Sequence, residues 1–305
     1  MAGRDAATLD GRRLDAFRVD FSGDIVLPSD DGYDAARAVW NGMIDRRPAI
    51  VVRPINAAAV VTALRFGRQE GLPVAVRSGG HSVPGLSTVD DGIVIDLSRM
   101  RGVTVDPARR VARCHGGALL GDLDAAAQAH GLACNAGTVS HTGVAGLTLG
   151  GGMGRLQRKL GLTIDALRSV EVVTADGRQV RASDDENADL FWGMRGAGAN
   201  FGIVTALEFE LWPIGPTITR GILIHPAERA REVAATFDAF MATAPDEVMA
   251  SLFIGRATPA EDYPASIAGK SIVAISISYV GPPSDAAQVL KPLTDVGEPI
   301  SGTLR

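Results

Sequence analysis

The stretch GTVSHTGVAGLTLGGGMG, residues 137–154, places seven glycines among eighteen residues and constrains the fold more than any other segment. So many missing side chains cannot serve core packing; they permit positive φ and close approach of the backbone to a neighbour. A loop of this kind suits a flat or phosphorylated ligand, with Thr138, Ser140, His141 and Thr142 offering polar contacts. Val144, Leu147 and Leu149 alternate with the small residues and would anchor the loop, which argues against a loose linker. A second cluster, VRSGGHSVPG at 76–85, sets His81 beside the adjacent Gly79 and Gly80, whose backbone N–H groups can approach a phosphate.

The elements around these clusters alternate between strand and helix patterns. The apolar run AIVVRP is followed by NAAAVVTALRFGRQEG, a helix opened by Asn56 as N-cap and stopped by Gly71, and then by the strand LPVAVRS. This is a βαβ unit with parallel strands, and the His81 loop leaves the carboxyl end of its second strand, where ligands of such units bind. GIVIDLS at 92–98 reads as another strand, and GVTVDPARRVARCHGGA as a hairpin with Val103 and Val105 facing Val111 and Arg113. A short helix ending at Gly131, a hairpin turning at Asp176–Gly177, a helix with an acidic beginning (DDENADLFWGMRG) and the long strand FGIVTALEFELWP complete this region. Beyond Pro213 the glycine clusters stop, which places a domain boundary near Pro216. A second lobe follows: the strand TRGILIH, a helix opened by His225, the strands EVMASLFIG and KSIVAISISYVG, and one more helix with a polar ending. A sheet of these strands alone has an uncovered edge.

Composition narrows the function classes. The 305 residues are 46% hydrophobic and 21% charged with 36 glycines, the profile of a globular chain of mixed helix and strand, large enough for two domains. A net charge of −5 supplies no field to gather nucleic acid. Cys114 and Cys134 form no CxxC pair and read as core thiols, so no metal site is expected. The N-terminus lacks a secretory apolar run and no stretch reaches the length of a membrane span, which gives the expectation of a cytoplasmic protein. GAGANFG at 196–202 is one residue too long for a GxGxxG dinucleotide fingerprint, and Walker, GxSxG and HExxH motifs are absent. His115 and His130 read as hydrogen-bonded or solvated fillers, whereas His81 and His141 stand out because both lie in glycine-rich loops.

Three coupled motifs, RSGGHSVPG, TGVAGLTLGGGMGRLQRKLGLTIDALRSVEVVTADGR and NADLFWGMRGAGANFGIVTALEFELWP, occur in order over about residues 46–216. Together they resemble the FAD-linked oxidases of the vanillyl-alcohol oxidase (PCMH) type, berberine-bridge-enzyme-like branch. The resemblance implies an α+β fold: an FAD-binding domain of two α+β subdomains at 46–216, an N-terminal segment (1–45) packing on it, and an incomplete α/β substrate lobe at 217–305. It implies FAD bonded to His81, the histidine of the GGH motif. Cofactor contacts would come from Arg77, Ser78, Gly79, Gly80, Ser82 and Gly85 in the first motif, and from Thr138, His141, Thr142, Gly143, Gly146, Gly150, Gly151 and Gly154 in the second. Ile203 and Val204 of the third motif would complete the set. Many relatives attach the flavin again through a cysteine; aligning the triple glycine puts Val139 there, with Cys134 five residues earlier, so attachment through His81 only is expected.

The implied activity is oxidation of a small alcohol, sugar or amine carbon by hydride transfer to flavin, with O2 as acceptor and H2O2 as product. No residue is assigned as catalytic base; Tyr279 on a second-lobe strand is the one tyrosine considered, against a plain core role. Two other readings stand beside this one. One is a flavin-holding module without turnover, since the second lobe lacks the terminal segment of the family fold. The other is a flavin reductase drawing on NADPH. Substrate and oligomeric state are not read from the sequence.

Overall fold

The computed structural model describes residues 9–257 and 264–305; the first eight residues of the N-terminal segment lie outside the described residues. The chain packs as two compact units, Met1–Gly154 with Leu162–Pro213, and Arg155–Gly161 with Ile214–Arg305.

The first unit holds two sheets. Helix α1 (Gly11–Asp20) is capped by Asp10, whose side chain accepts from the N–H groups of Arg12 and Arg13. After it come β1 (Gly23–Val26), α2 (Tyr33–Arg37), β2 (Ile50–Pro54), α3 (Ala57–Gln69), β3 (Val74–Arg77) and β4 (Ile93–Asp96). Asn56 caps α3 through a 2.9 Å bond from the Ala59 N–H, and Gly71 lies beyond its end at φ +66°, as the sequence requires. The sheet order is β1-β2-β4-β3, so β2 and β3 are parallel as the βαβ pattern implies but are not neighbours: β4 lies between them, parallel to both. All four residues of β4 are buried, which suits a central strand. Phe17 of α1 stacks on Phe66 of α3 at 4.3 Å, and Leu14, Phe17 and Phe21 join the core that α3 forms with β2 and β4.

The second sheet runs β5 (Val103–Asp106), β6 (Val111–His115), β8 (Leu167–Val173), β9 (Gln179–Ser183) and β10 (Ile203–Glu210), in the order β5-β6-β10-β8-β9. The β5/β6 hairpin corrects the expected register by one residue: Val103 pairs with Cys114 and Val105 with Ala112. The reason is a four-residue turn, 107–110, in which Asp106 accepts from the Arg109 N–H and Arg110 takes φ +53°. Helix α4 (Leu120–Gln128), the two-residue strand β7 (Leu132–Ala133), α5 (Val144–Leu149) and α7 (Ala188–Ala197) surround this sheet, and β11 (Trp212–Pro213) pairs with β7. The acidic residues 184–186 precede α7 instead of opening it; only Asp189 lies in its first turn. Cys114 and Cys134 are free and buried in this core, as expected.

In the second unit, β12 (Thr219–Pro226), β13 (Val248–Arg256) and β14 (Ser271–Tyr279) form an antiparallel sheet of order β12-β14-β13. Helix α8 (Ala230–Met241) lays Val233 and Phe240 on the face that carries Leu223, Ile275 and Ile277. The detached helix α6 (Gln157–Leu160) belongs here: Arg158 donates to the carbonyls of Val248 at 2.9 Å and Ala244 at 3.0 Å. The C-terminal segment folds as two short helices, α9 (Ala286–Val289) and α10 (Lys291–Thr294), where one was expected. The β12 edge, expected to be open, is paired by residues beyond them: Arg220 and Arg305 exchange two 2.8 Å backbone bonds, and the Ile224 N–H donates to Ser301. His225 does not open a helix; it lies within β12, fully buried, opposite Val273. Tyr279 is likewise a core residue, 3% exposed on the α8 side. Among the described residues no helix is long and apolar enough to cross a membrane.

Two stability tests follow from buried polar groups. Asp96, 3% exposed, accepts from Arg77 at 2.8 Å and Arg53 at 3.2 Å. Asp96→Ala strands the buried Arg77 guanidinium and is expected to cost about 3–5 kcal/mol in denaturant unfolding, more than Arg77→Met. Burial, then the Arg229 charge, lowers the pKa of His225 below its ordinary value, with Glu232 opposing. The unfolded chain therefore takes up this proton first as pH falls below about 6.5, and the stability His225 contributes above that pH is lost on passing through its lower folded value. Melting temperatures recorded between pH 7.5 and 5 should fall less steeply for His225→Leu than for the unaltered protein.

Candidate flavin site around His81

Strand β3 ends at Arg77, and the chain turns sharply through Ser78, Gly79 and Gly80 to His81. Arg77 does not reach out toward a ligand. Its guanidinium is buried against Asp96 and donates to the carbonyls of Ala36 and Ala38, so it fastens α2 and the segment after it to the end of the sheet. That segment brings Trp40 to the loop. Its N–H donates to the Gly80 carbonyl at 3.2 Å, Asn41 Nδ2 donates to the Val83 carbonyl at 2.8 Å, and Ile44 fills the space beside Gly85.

The glycine-rich stretch 137–154 is not one loop. It turns through 138–142, forms α5 from Val144 to Leu149, and leaves through Gly150, Gly151 and Gly152. Val144, Ala145 and Thr148 are buried, and Thr148 Oγ1 bonds the Val144 carbonyl at 2.8 Å, so this helix is anchored by an i, i+4 face and not by alternation. The two stretches meet at Gly79 and Gly143. A Cβ on Gly79 would lie 2.2 Å from the Gly143 nitrogen, and one on Gly143 would lie 2.3 Å from the Gly79 nitrogen. These glycines thus serve the approach of two backbones to each other, where a phosphate was the expected neighbour.

The contact delivers His81 to His141. Their Nε2 and Nδ1 atoms are 2.7 Å apart, Trp40 stacks on the His81 ring at 5.2 Å and 17°, and Thr142 Oγ1 lies 3.5 Å from His81 Nδ1. Burial, then the neighbouring His141, lowers the His81 pKa below the usual histidine value, so the ring is neutral at neutral pH. A neutral imidazole that donates its one N–H from Nε2 keeps a lone pair on Nδ1, the property a nucleophilic or ligating nitrogen needs.

The remaining expected contacts divide into two groups. Ser82 closes its own turn, its Oγ accepting from the Leu86 N–H, and Gly85 and Gly154 are packed against Ile44 and the Ala136 carbonyl. Ile203 and Val204 are 4% exposed and belong to the core, so their side chains offer nothing to a ligand. In contrast, a Cβ on Gly146 would meet nothing within 4 Å, one on Gly150 only carbonyls at 3.8 Å, and one on Gly151 only Leu162 at 3.7 Å. Gly80, at φ +71°, faces only the Arg77 stem, and Thr138 and His141 are exposed. Ser78 Oγ is buried without a hydrogen-bond partner, as are Ser87 Oγ and Thr88 Oγ1. The buried Ser78 hydroxyl, the open glycine faces and a neutral histidine fit a polar, flat dinucleotide such as FAD. Trp40 is a site residue that sequence reasoning missed, because no motif marks the stretch before β2. No group of three histidine, cysteine or acidic residues could hold a metal among the described residues.

Cys134 is a poor partner for a second attachment. It is 5% exposed, and burial pushes its thiol up to about 12, so the thiolate is scarce at neutral pH. Val139, at the aligned position, is 43% exposed.

Comparison with known proteins agrees with this geometry. Residues 48–183 match the family described as FAD binding domain. The chain is 38% identical over 236 residues to (R)-6-hydroxynicotine oxidase of Paenarthrobacter nicotinovorans, covering 76% of this chain and 51% of that protein. It superposes on crystalline 6-hydroxy-D-nicotine oxidase from Arthrobacter nicotinovorans with a TM-score of 0.84 at 32% identity, over 92% of this chain and 60% of the other. It also superposes on glucooligosaccharide oxidase from Acremonium strictum, solved to study its 6-S-cysteinyl, 8α-N1-histidyl FAD, with a TM-score of 0.79 at 26% identity over 96% and 59% of the two chains. The chain spans about half the length of the curated relatives it matches. Residues 48–183 are an FAD binding domain, and the curated relatives that the chain matches are FAD-linked oxidoreductases and oxidases.

Proposed function

We propose that this protein oxidises a small organic substrate at an alcohol, sugar or amine carbon, with FAD tethered through His81 alone. The observation that carries the reading is the His81–His141–Trp40 arrangement. A neutral imidazole at the end of β3 is held by a ring stack on one side and a 2.7 Å bond on the other, next to glycine faces with room for a ligand. In the tautomer with the shared proton on His81 Nε2, His141 Nδ1 accepts it and His81 Nδ1 is left bare for attachment. Ser78 and Thr142 are the hydroxyls placed to bond the cofactor, and the backbone at Gly80, Gly146, Gly150 and Gly151 would border it.

Bound FAD supplies the acceptor for the substrate's hydride, and O2, released as H2O2, is the proposed final acceptor. The chain's own residues orient the flavin and the substrate so that the reacting atoms meet, and this positioning is the source of much of the acceleration. Residues 217–305 are the proposed substrate-binding lobe, and 46–216 the proposed FAD domain. The proposed location is cytoplasmic.

Acid precipitation tests the tether. Yellow colour is expected in the pellet of the unaltered protein and in the supernatant, or nowhere, for His81→Ala; colour in the pellet of that variant would defeat the assignment. His141→Ala should slow the accumulation of pellet colour when apoprotein is incubated with FAD, by about ten-fold or more for loss of a positioned proton acceptor. Peptide mapping should find flavin on the His81 peptide and none on the peptide carrying Cys134. Anaerobic bleaching by a panel of alcohols, sugars and amines tests the activity, and a bound flavin that no donor or NADPH reduces would favour a cofactor-holding role instead.

A further inference from the structure

The sheet of the second unit has two unlike faces. Val273, Ile275, Ile277 and Tyr279 of β14 point to α8 and are closed off by it. The alternate residues point the other way, and at one end of that face Ile224, Ile272 and Ala274 are covered by Ala257 and Ile267. At the other end the face is mixed: Arg220 of β12 and Ser278 of β14 stand side by side in register with Met249 of β13, followed by Ile222, Ser276 and Ser251.

Arg155 reaches this row. Its Nη1 donates to Ser278 Oγ at 3.5 Å, and Ser278 itself is 2% exposed. The guanidinium is half-buried, and burial followed by the neighbouring Arg220 charge lowers its pKa. Two cations are therefore gathered at one end of a serine-bearing sheet face. The ion pairs of this unit join Arg158 to Asp246, Lys159 to Glu247, Arg229 to Glu232 and Lys291 to Asp295. None of them reaches Arg155 or Arg220 among the described residues. Arg155 is half-buried and Arg220 exposed, and an anion bound at this end of the face would pair with both guanidinium groups where Arg155 now has a single hydroxyl acceptor. Guanidinium groups bind planar oxyanions with paired N–H donors, which supplies geometry as well as charge.

We propose that Arg155 and Arg220 form a recognition site for an oxyanion carried by the substrate, a carboxylate or a phosphate ester, with Ser278 orienting Arg155. Attribution of that oxyanion to an oxidisable substrate rests on the oxidoreductase reading above. The site would make this protein select acidic alcohols or amines over their neutral counterparts.

Calorimetric titration of the full chain carrying its flavin tests this, with mandelate against mandelamide and with phenyl phosphate as the phosphate probe. Mandelate or phenyl phosphate should bind, more weakly as salt is raised, and mandelamide should bind at least about ten-fold more weakly than mandelate if the carboxylate is the group read. Binding by phenyl phosphate alone identifies the oxyanion as a phosphate ester. Arg155→Met and Arg220→Met should each weaken the bound probe by about ten-fold or more, with Arg155→Lys recovering part of the loss and an unchanged flavin spectrum showing that the fold is retained. Equal binding of acid and amide with no binding of phenyl phosphate, no binding by either anion, or methionine variants that bind like the unaltered protein would overturn the proposal. So would loss of anion binding when FAD is added to apoprotein, since the pair would then be holding the cofactor's diphosphate. A colourless protein that still binds the anion through both arginines would keep the site and remove the oxidoreductase reading.

Discussion

The backbone contact between Gly79 and Gly143 is the constraint on which the candidate site depends. Each residue occupies the space where the other's Cβ would stand, so any side chain at either position forces the two loops apart. Because they touch, the histidine two residues after Gly79 and the one two residues before Gly143 come within a hydrogen bond of each other. Packing of this kind is unforgiving in a way that a solvent-exposed ion pair is not, since backbone atoms cannot swing aside as a long side chain can.

Around that contact the polar groups take separate tasks. Arg77 and Asp96 are internal: their ion pair and the bonds to the Ala36 and Ala38 carbonyls secure α2 and, through it, the segment that carries Trp40. His81 lies outside this buried network, where partial burial and a second imidazole lower its pKa without a carboxylate to raise it. The result is a neutral ring stacked on Trp40, bonded to His141 through Nε2 and facing the Thr142 hydroxyl with Nδ1. Structural and chemical duties are thereby divided between neighbouring residues of one turn.

The helices, strands and glycine clusters were legible because each has a local cause. Asn56 and Gly71 bound α3 through a cap and a left-handed residue, and apolar runs containing Ile and Val mark β10 and β14. Less local features were misread for identifiable reasons. A turn of four residues at 107–110 shifted the hairpin by one, and insertion of β4 between β2 and β3 follows from pairing across the sheet. Arg77 was expected among the cofactor contacts because it borders the glycine motif, and the structure shows its guanidinium held by Asp96 and the Ala36 and Ala38 carbonyls. Trp40 was missed because it is distant in sequence from both loops and belongs to no motif.

The sequence by itself determined the three ordered glycine-rich motifs, the βαβ beginning, the change of texture near Pro213 and the candidacy of His81. All of these rest on local backbone freedom and residue periodicity. Only the tertiary structure decided that Gly79 serves Gly143, that His81 meets His141 and Trp40, that Ile203 and Val204 face the core, and that Arg155 reaches Ser278 of β14. Those outcomes depend on contacts between residues tens of positions apart, whose distances are set by how sheets and helices pack and not by any property of the neighbouring letters.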